Sequence, residues 1–209
     1  MSILTTHVGS LPRPKKVSDL LFKRENNEVY EQEYFEEVIS NGVYDVVKKQ
    51  IDIGIDIISD GEMSKISYAT YVKDRYNGFA GDSERNPPLD LEKFPNYMKK
   101  IADSGGTPTY SRPCCVSEIT SKHNNDLSND ITNLLSASKK LEHENVFMNS
   151  ASPGVISLFL SNSYYPSRND YLDAISKAMK DEYETIVRSG IKLQLDCPDL
   201  ALSRHMTFK

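Results

Sequence analysis

The most constraining feature of this chain is an alternation. Short runs of β-prone apolar residues, each followed at once by polar or glycine-rich residues, are separated by longer segments with helical periodicity. Ile3 to Val8 ends in Gly9-Ser10, with Pro12 and Pro14 just behind, and then a polar, charged stretch. Phe35, Val38, Ile39, Val43, Val46, Val47 and Ile51 recur at helical spacing, and Gly54 predicts the stop. Ile55, Ile57 and Ile58 read as a short buried strand ending in Ser59-Asp60-Gly61-Glu62. Cys114 to Ile119 reads as a third strand, followed by a helical stripe of Leu127, Ile131, Leu134, Leu135, Ser138 and Leu141. Asn145 to Asn149 is the fourth strand, and Ser152-Pro153 has the chemistry of a helix start. A helix from about Asn169 to Ser189 carries Leu172, Ile175, Met179, Tyr183 and Ile186 on one side. Gly190 ends it, and a fifth strand, Ile191 to Leu195, runs straight into Asp196-Cys197-Pro198-Asp199.

Strands that alternate with helices imply an α/β fold with parallel strands joined by crossovers. Ser10, Asp60, Glu62, Ser150, Ser152, Asp196 and Asp199 all fall at the C-terminal ends of the expected strands. A (β/α)8 barrel gathers its active site on that face, and so does a doubly wound sheet, so spacing alone leaves both open. The stretch at about 65–112, rich in Tyr, Asn, Gly and Pro, reads as an irregular insertion in a single domain spanning 1–209.

Composition removes several functions. The net charge of -5, with no Lys/Arg cluster, argues against nucleic acid as a partner. Apolar runs such as Val155 to Leu160 are far too short to cross a membrane. The first residues lack the pattern of a secretory signal, and three cysteines, two of them adjacent, make no disulfide framework. The expected location is the cytoplasm.

Four segments carry a family resemblance: THVGSLPRP (Thr6 to Pro14), SDGEMSK (Ser59 to Lys65), NSASPGVISLFL (Asn149 to Leu160) and LQLDCPDL (Leu193 to Leu200). In order and spacing they resemble the C-terminal catalytic barrel of cobalamin-independent methionine synthase, nearest to its short methionine synthase II-like relatives. The resemblance implies a TIM barrel of the methionine synthase/uroporphyrinogen decarboxylase-like superfamily. It also implies methyl transfer from 5-methyltetrahydrofolate to homocysteine, with zinc as cofactor. Carried over, it puts Val8, Gly9 and Ser10 against the homocysteine carboxylate, and Glu62 and Asp196 around the amino group. The chemistry agrees: a Gly-Ser turn offers N–H groups and a hydroxyl to an anion, and two carboxylates can bracket an ammonium ion. Arg112 loosely resembles a folate-contacting Ser-Arg-Cys segment, although Pro113 intervenes before Cys114.

Departures accompany the resemblance. The family's zinc ligands, a His-x-Cys pair, a Glu and a distant Cys, follow the segment that matches Leu193 to Leu200, and no His-x-Cys occurs here. The proton-donating histidine is expected in the same later region. Cys197 stands where the larger synthases carry Glu, and this chain has no Trp where they place one near the pterin, around Leu158 to Leu160. On this reading the chain is the N-terminal portion of such a barrel, with about five of its eight strands and no metal ligands of its own. Unclosed sheet edges then predict instability or self-association. A related thiol alkyltransferase or uroporphyrinogen decarboxylase-like enzyme, and a non-catalytic chain keeping part of an amino-acid pocket, are the alternatives. Cys114, Cys115 and Cys197 read as packing residues, His123 and His143 as surface residues, and His7 and His205 as lying near strand ends.

Overall fold

The computed structural model describes residues 3–67, 69–81, 83, 91, 93–103 and 112–201. Its elements are α1 (Lys15–Glu25), α2 (Gln32–Asp52), α3 (Val72–Arg75), β1 (Tyr76–Ala80), α4 (Pro95–Asp103), β2 (Cys114–Ser121), α5 (Asp126–Lys140), β3 (Phe147–Ala151), α6 (Pro153–Phe159), α7 (Arg168–Arg188) and β4 (Lys192–Asp196). β3 and β4 pair in parallel, with Phe147 opposite Lys192 and Ala151 opposite Asp196. A parallel bridge between Ile58 and Val146 extends this sheet on the β3 side. Beyond it the first residues run beside 56–58: Ile57 N–H donates to the Thr5 carbonyl at 3.1 Å, and Thr6 Oγ1 donates to the Ile57 carbonyl at 2.8 Å.

The third expected strand belongs elsewhere. β2 pairs antiparallel with β1 as a separate two-stranded sheet, with a register shift between Asn77 and Phe79. Gly78 makes that shift possible: its φ is +103°, and a Cβ there would lie 2.9 Å from the Glu118 carbonyl oxygen. A β-prone run carries no label for its partner, so the parallel wall holds fewer strands than the count of five implied. Ile3 to Val8 flanks that wall without forming a named strand, and Ile3 is 94% exposed. The insertion also contains more order than its composition suggested, since α3, β1 and α4 fall within it. Its residues 84–90 and 104–111 lie outside the described residues.

Two apolar clusters hold the helices to the strands. In one, Val17, Leu20 and Leu21 of α1 join Phe35, Ile39, Val43 and Val47 of α2 and Ile131 and Leu134 of α5 around Ile58, Val146 and Met148. The "polar stretch" after Pro14 is therefore an amphipathic helix, whose three buried residues recur at i, i+3 and i+4. In the other, Tyr171, Ile175 and Met179 of α7 pack with Val155, Ile156 and Leu160 from α6 and its end, and with Tyr71, Val72 and Cys115. The buried stripe of α7 is Tyr171, Ile175, Met179, Glu182 and Ile186, so Leu172 and Tyr183 lie at its margin and an acid takes the centre. Ser152 caps α6 by accepting from Val155 N–H at 3.1 Å, with Pro153 at the first helical position. No described helix is long and apolar enough to cross a membrane.

Candidate functional site

The strand that ends at Ile58 turns through Ser59-Asp60-Gly61-Glu62, and the turn fixes where Glu62 goes. Asp60 Oδ1 accepts from Glu62 N–H at 3.0 Å, an Asx-type bond within the loop. Glu62 has φ +56°, a left-handed conformation that a residue with a side chain adopts at a cost. Its backbone carbonyl accepts from Arg13 Nη2 at 2.9 Å, and the same nitrogen reaches the Lys65 carbonyl at 2.7 Å. The Glu62 carboxylate is 2% exposed, with Oε2 accepting from Ser10 Oγ at 2.5 Å and Oε1 from Asn149 Nδ2 at 3.0 Å.

The folded chain thus brings Ser10 and Glu62, distant in sequence, into direct contact. Gly9 supplies the bend before Ser10 at φ +84°, with no atom within 4 Å of where a Cβ would stand. Val8 beside it is exposed. Asp196 ends β4 on the same side of the wall. Burial pushes its carboxyl above the ordinary carboxylate range, the negative charge of Glu62 adds to the rise, and Lys65 opposes it. Asp60 is also raised, chiefly by burial, and is likewise opposed by Lys65. Lys65 is 3% exposed; its ammonium donates to the Asn149 carbonyl at 2.6 Å and lies 4.7 Å from the centroid of the Tyr71 ring.

Not every strand-end residue joins this group. Ser150 lies within β3 and points to the opposite side, donating to Glu182 Oε1 at 2.6 Å. There Glu182 meets Tyr71 OH at 2.6 Å and Arg75 Nη1 at 2.8 Å, and Arg75 Nη2 reaches Asp130 Oδ2 at 2.5 Å. Burial alone would raise the Glu182 carboxyl, but Arg75 and Lys65, with the hydrogen bonds from Ser150 and Tyr71, together outweigh it and the net direction is down. Asp199 serves α6: Ser152 Oγ donates to its Oδ1 at 2.9 Å, and a Cβ on Gly154 would lie 2.1 Å from its Oδ2. Lys65 and Tyr71 also form a wall of a cavity of about 120 Å³, which Phe35, Ile39, Arg24, Asp126 and Asp130 also line.

Arg112 sits apart, its guanidinium 4.9 Å from the centroid of the Phe159 ring, with its carbonyl accepting from Ser83 N–H at 2.8 Å. Cys115 is buried, and burial raises its thiol to about 11. Cys115 is therefore not a poised nucleophile. Cys197 Sγ donates to the Leu195 carbonyl at 3.5 Å. His143 is half-buried rather than a surface residue, with Nε2 3.1 Å from the Asp56 carbonyl, and His205 lies outside the described residues. The donor set does not fit zinc: among the described residues no group of three or more His, Cys, Asp or Glu side chains could hold a metal.

Sequence reasoning passed over Asn149, Lys65 and Arg13, although each lies inside a segment that carried the resemblance. It also passed over the Arg75–Glu182–Asp130 group. The available signal was an acid inside an apolar stripe: Glu182 falls between Met179 and Ile186 at helical spacing.

Known proteins resemble this chain along most of its length. Residues 3–86 match the family model described as the catalytic domain of cobalamin-independent synthase. A methionine synthase of Sulfolobus acidocaldarius is 28% identical over 93% of this chain and 51% of its own length. One from Saccharolobus islandicus is 26% identical over 96% of this chain and 54% of its own. The structure of a B12-independent methionine synthase from Shewanella sp. W3-18-1, in complex with selenomethionine, superposes with a TM-score of 0.67 at 18% identity, covering 93% of this chain and 51% of that one. The chain spans about half the length of the curated relatives it matches.

Proposed function

We propose that this chain, which resembles the cobalamin-independent methionine synthases along nearly its whole length, supplies the amino-acid pocket of a methyltransferase acting on homocysteine. One observation carries the reading: Ser10, Glu62 and Asp196, from three separate segments, converge at the C-terminal side of one parallel wall. In the proposed pocket Glu62 and Asp196 accept the substrate's ammonium in charge-assisted bonds. The backbone N–H groups around Val8, Gly9 and Ser10 receive its carboxylate, while the Ser10 hydroxyl proton stays on Glu62. Held at both ends, the amino acid has only its side chain free to present sulfur, which is the entropic part of the task.

The methyl donor on this reading is 5-methyltetrahydrofolate, and Arg112 with Phe159 is the proposed pterin contact. A cation stacked on an aromatic ring is a flat, polarisable platform, and Phe159 stands in the region where the larger enzymes place Trp. Zinc would supply activation of the thiol in such an enzyme. The described residues hold no ligand set for it. The wall of parallel segments is read as part of a (β/α)8 barrel in a cytoplasmic enzyme. Leu195 and Leu200, exposed at the β4 end, favour association through that edge.

Isothermal titration with L-methionine and L-homocysteine tests the pocket. Binding that Glu62→Gln weakens about tenfold or more supports it, since that change removes one charge-assisted bond. An unaltered affinity in the variant would sink it.

A further inference from the structure

Asn149 lies in the middle of β3 with 5% of its surface exposed. Its two amide groups fare differently. Nδ2 donates to Glu62 Oε1 at 3.0 Å, and chemistry fixes that orientation because an ionised carboxylate only accepts. Oδ1 is enclosed and has no hydrogen-bond partner among the described residues. Native structures leave few such atoms unpaired, so an enclosed acceptor beside a binding carboxylate points to a ligand. His7 Nε2 and Arg13 Nε are likewise enclosed without a partner among the described residues, and both belong to the segment that brings Ser10 onto Glu62.

Strand register places Asn149 further. Side chains two apart on a strand share a face, and directly paired residues of parallel neighbours do so as well. Asn149 therefore shares a face with Ala151, and Ala151 pairs with Asp196. Ser150, between them, faces Glu182 on the other side.

An ammonium group has three N–H donors, and Glu62 and Asp196 account for two. We infer that Asn149 is a further substrate-binding residue, its Oδ1 accepting the third ammonium proton while its Nδ2 sets the orientation of Glu62. The inference rests on the amino-acid pocket proposed above. A neutral amide suits this place better than a third carboxylate. It donates to Glu62 and accepts from the ligand at once, and it adds no negative charge beside Asp196.

The test compares wild type with Asn149→Leu and Asn149→Ser, each checked by thermal unfolding. The ligands are L-methionine and 4-(methylthio)butanoate, which keeps the carboxylate and thioether but lacks the ammonium. In whichever variant stays folded, methionine affinity is expected to fall about tenfold or more while that of the deamino compound changes by less than about twofold. Methionine affinity within about twofold of wild type overturns the assignment. So do equal proportional losses for both ligands, which would mark Asn149 as merely structural. A wild type that binds neither overturns the pocket itself and this assignment with it.

Discussion

Two buried charge groups lie on opposite faces of one strand, and they are built to different ends. On the helix side of β3, Ser150 reaches Glu182, and every carboxylate oxygen of Glu182 has a partner in Tyr71, Ser150 or Arg75. On the other side, Asn149 reaches Glu62 in a group where Asp60 and Asp196 crowd Glu62 and Lys65 is the shared cation. The carboxyl of Glu182 is lowered, whereas those of Asp60 and Asp196 are raised. A satisfied group of buried charges ties helices to a sheet. One with excess acid, an unpaired acceptor and a left-handed glutamate keeps interactions in reserve for a ligand.

The comparison breaks most visibly at Arg75. Arg75→Met leaves Glu182 and Asp130 buried without their cation and is expected to cost about 3–5 kcal/mol, read as a large drop in denaturant midpoint. Glu62→Gln should do the reverse, moving the midpoint little while methionine binding is lost. A variant of either kind that changed both properties equally would erase the distinction.

Acid separates the two groups by sign. Glu182 has a folded pKa below its ordinary value, so its contribution to stability is complete above that ordinary value and disappears as pH falls through the lower, folded one. Asp60 and Asp196 have raised folded pKa values, so their ionised forms oppose folding, and protonation relieves them at a higher pH than the one at which Glu182 is lost. Mild acid is therefore expected to weaken methionine binding without loss of stability, and stronger acid to unfold the chain. Titration calorimetry and thermal scans across the same pH series check this. If binding and stability fell together, the two groups would be one unit.

Smaller effects sharpen the picture. Gly9→Ala places a Cβ at φ +84° and should cost about 1 kcal/mol, with methionine affinity falling because the turn before Ser10 shifts. Thiol labelling of the native chain should spare Cys115, whose raised pKa keeps it protonated, and reach the half-buried Cys114 and Cys197 first. Mass mapping of the labelled peptides reads the order.

Much of the candidate site was legible before folding was considered. Gly9, Ser10, Glu62 and Asp196 stand in short motifs at strand ends, and the local chemistry of a Gly-Ser turn or an Asp-Gly-Glu loop is written in adjacent residues. Asn149 was not legible, because nothing in its neighbourhood says that its amide meets a carboxylate 87 positions away. Lys65 hid for the same reason: its partners are a carbonyl on β3 and the ring of Tyr71. Periodicity marked α2, α5 and α7, yet it did not single out Glu182, since an acid in a stripe is buried only if another segment brings a cation.

By itself, then, the sequence determined what depends on near neighbours: helical stripes, the cap at Ser152, the glycine stops and the polar residues at strand ends. The tertiary structure alone decided what depends on contact between distant segments. It paired Cys114–Ser121 with Tyr76–Ala80 instead of the parallel wall, and it set the alternating faces of β3 against two different charge groups. Strand pairing and burial are properties of the assembled chain, because a β-prone run fits many partners and a buried charge is tolerable only beside the group that compensates it.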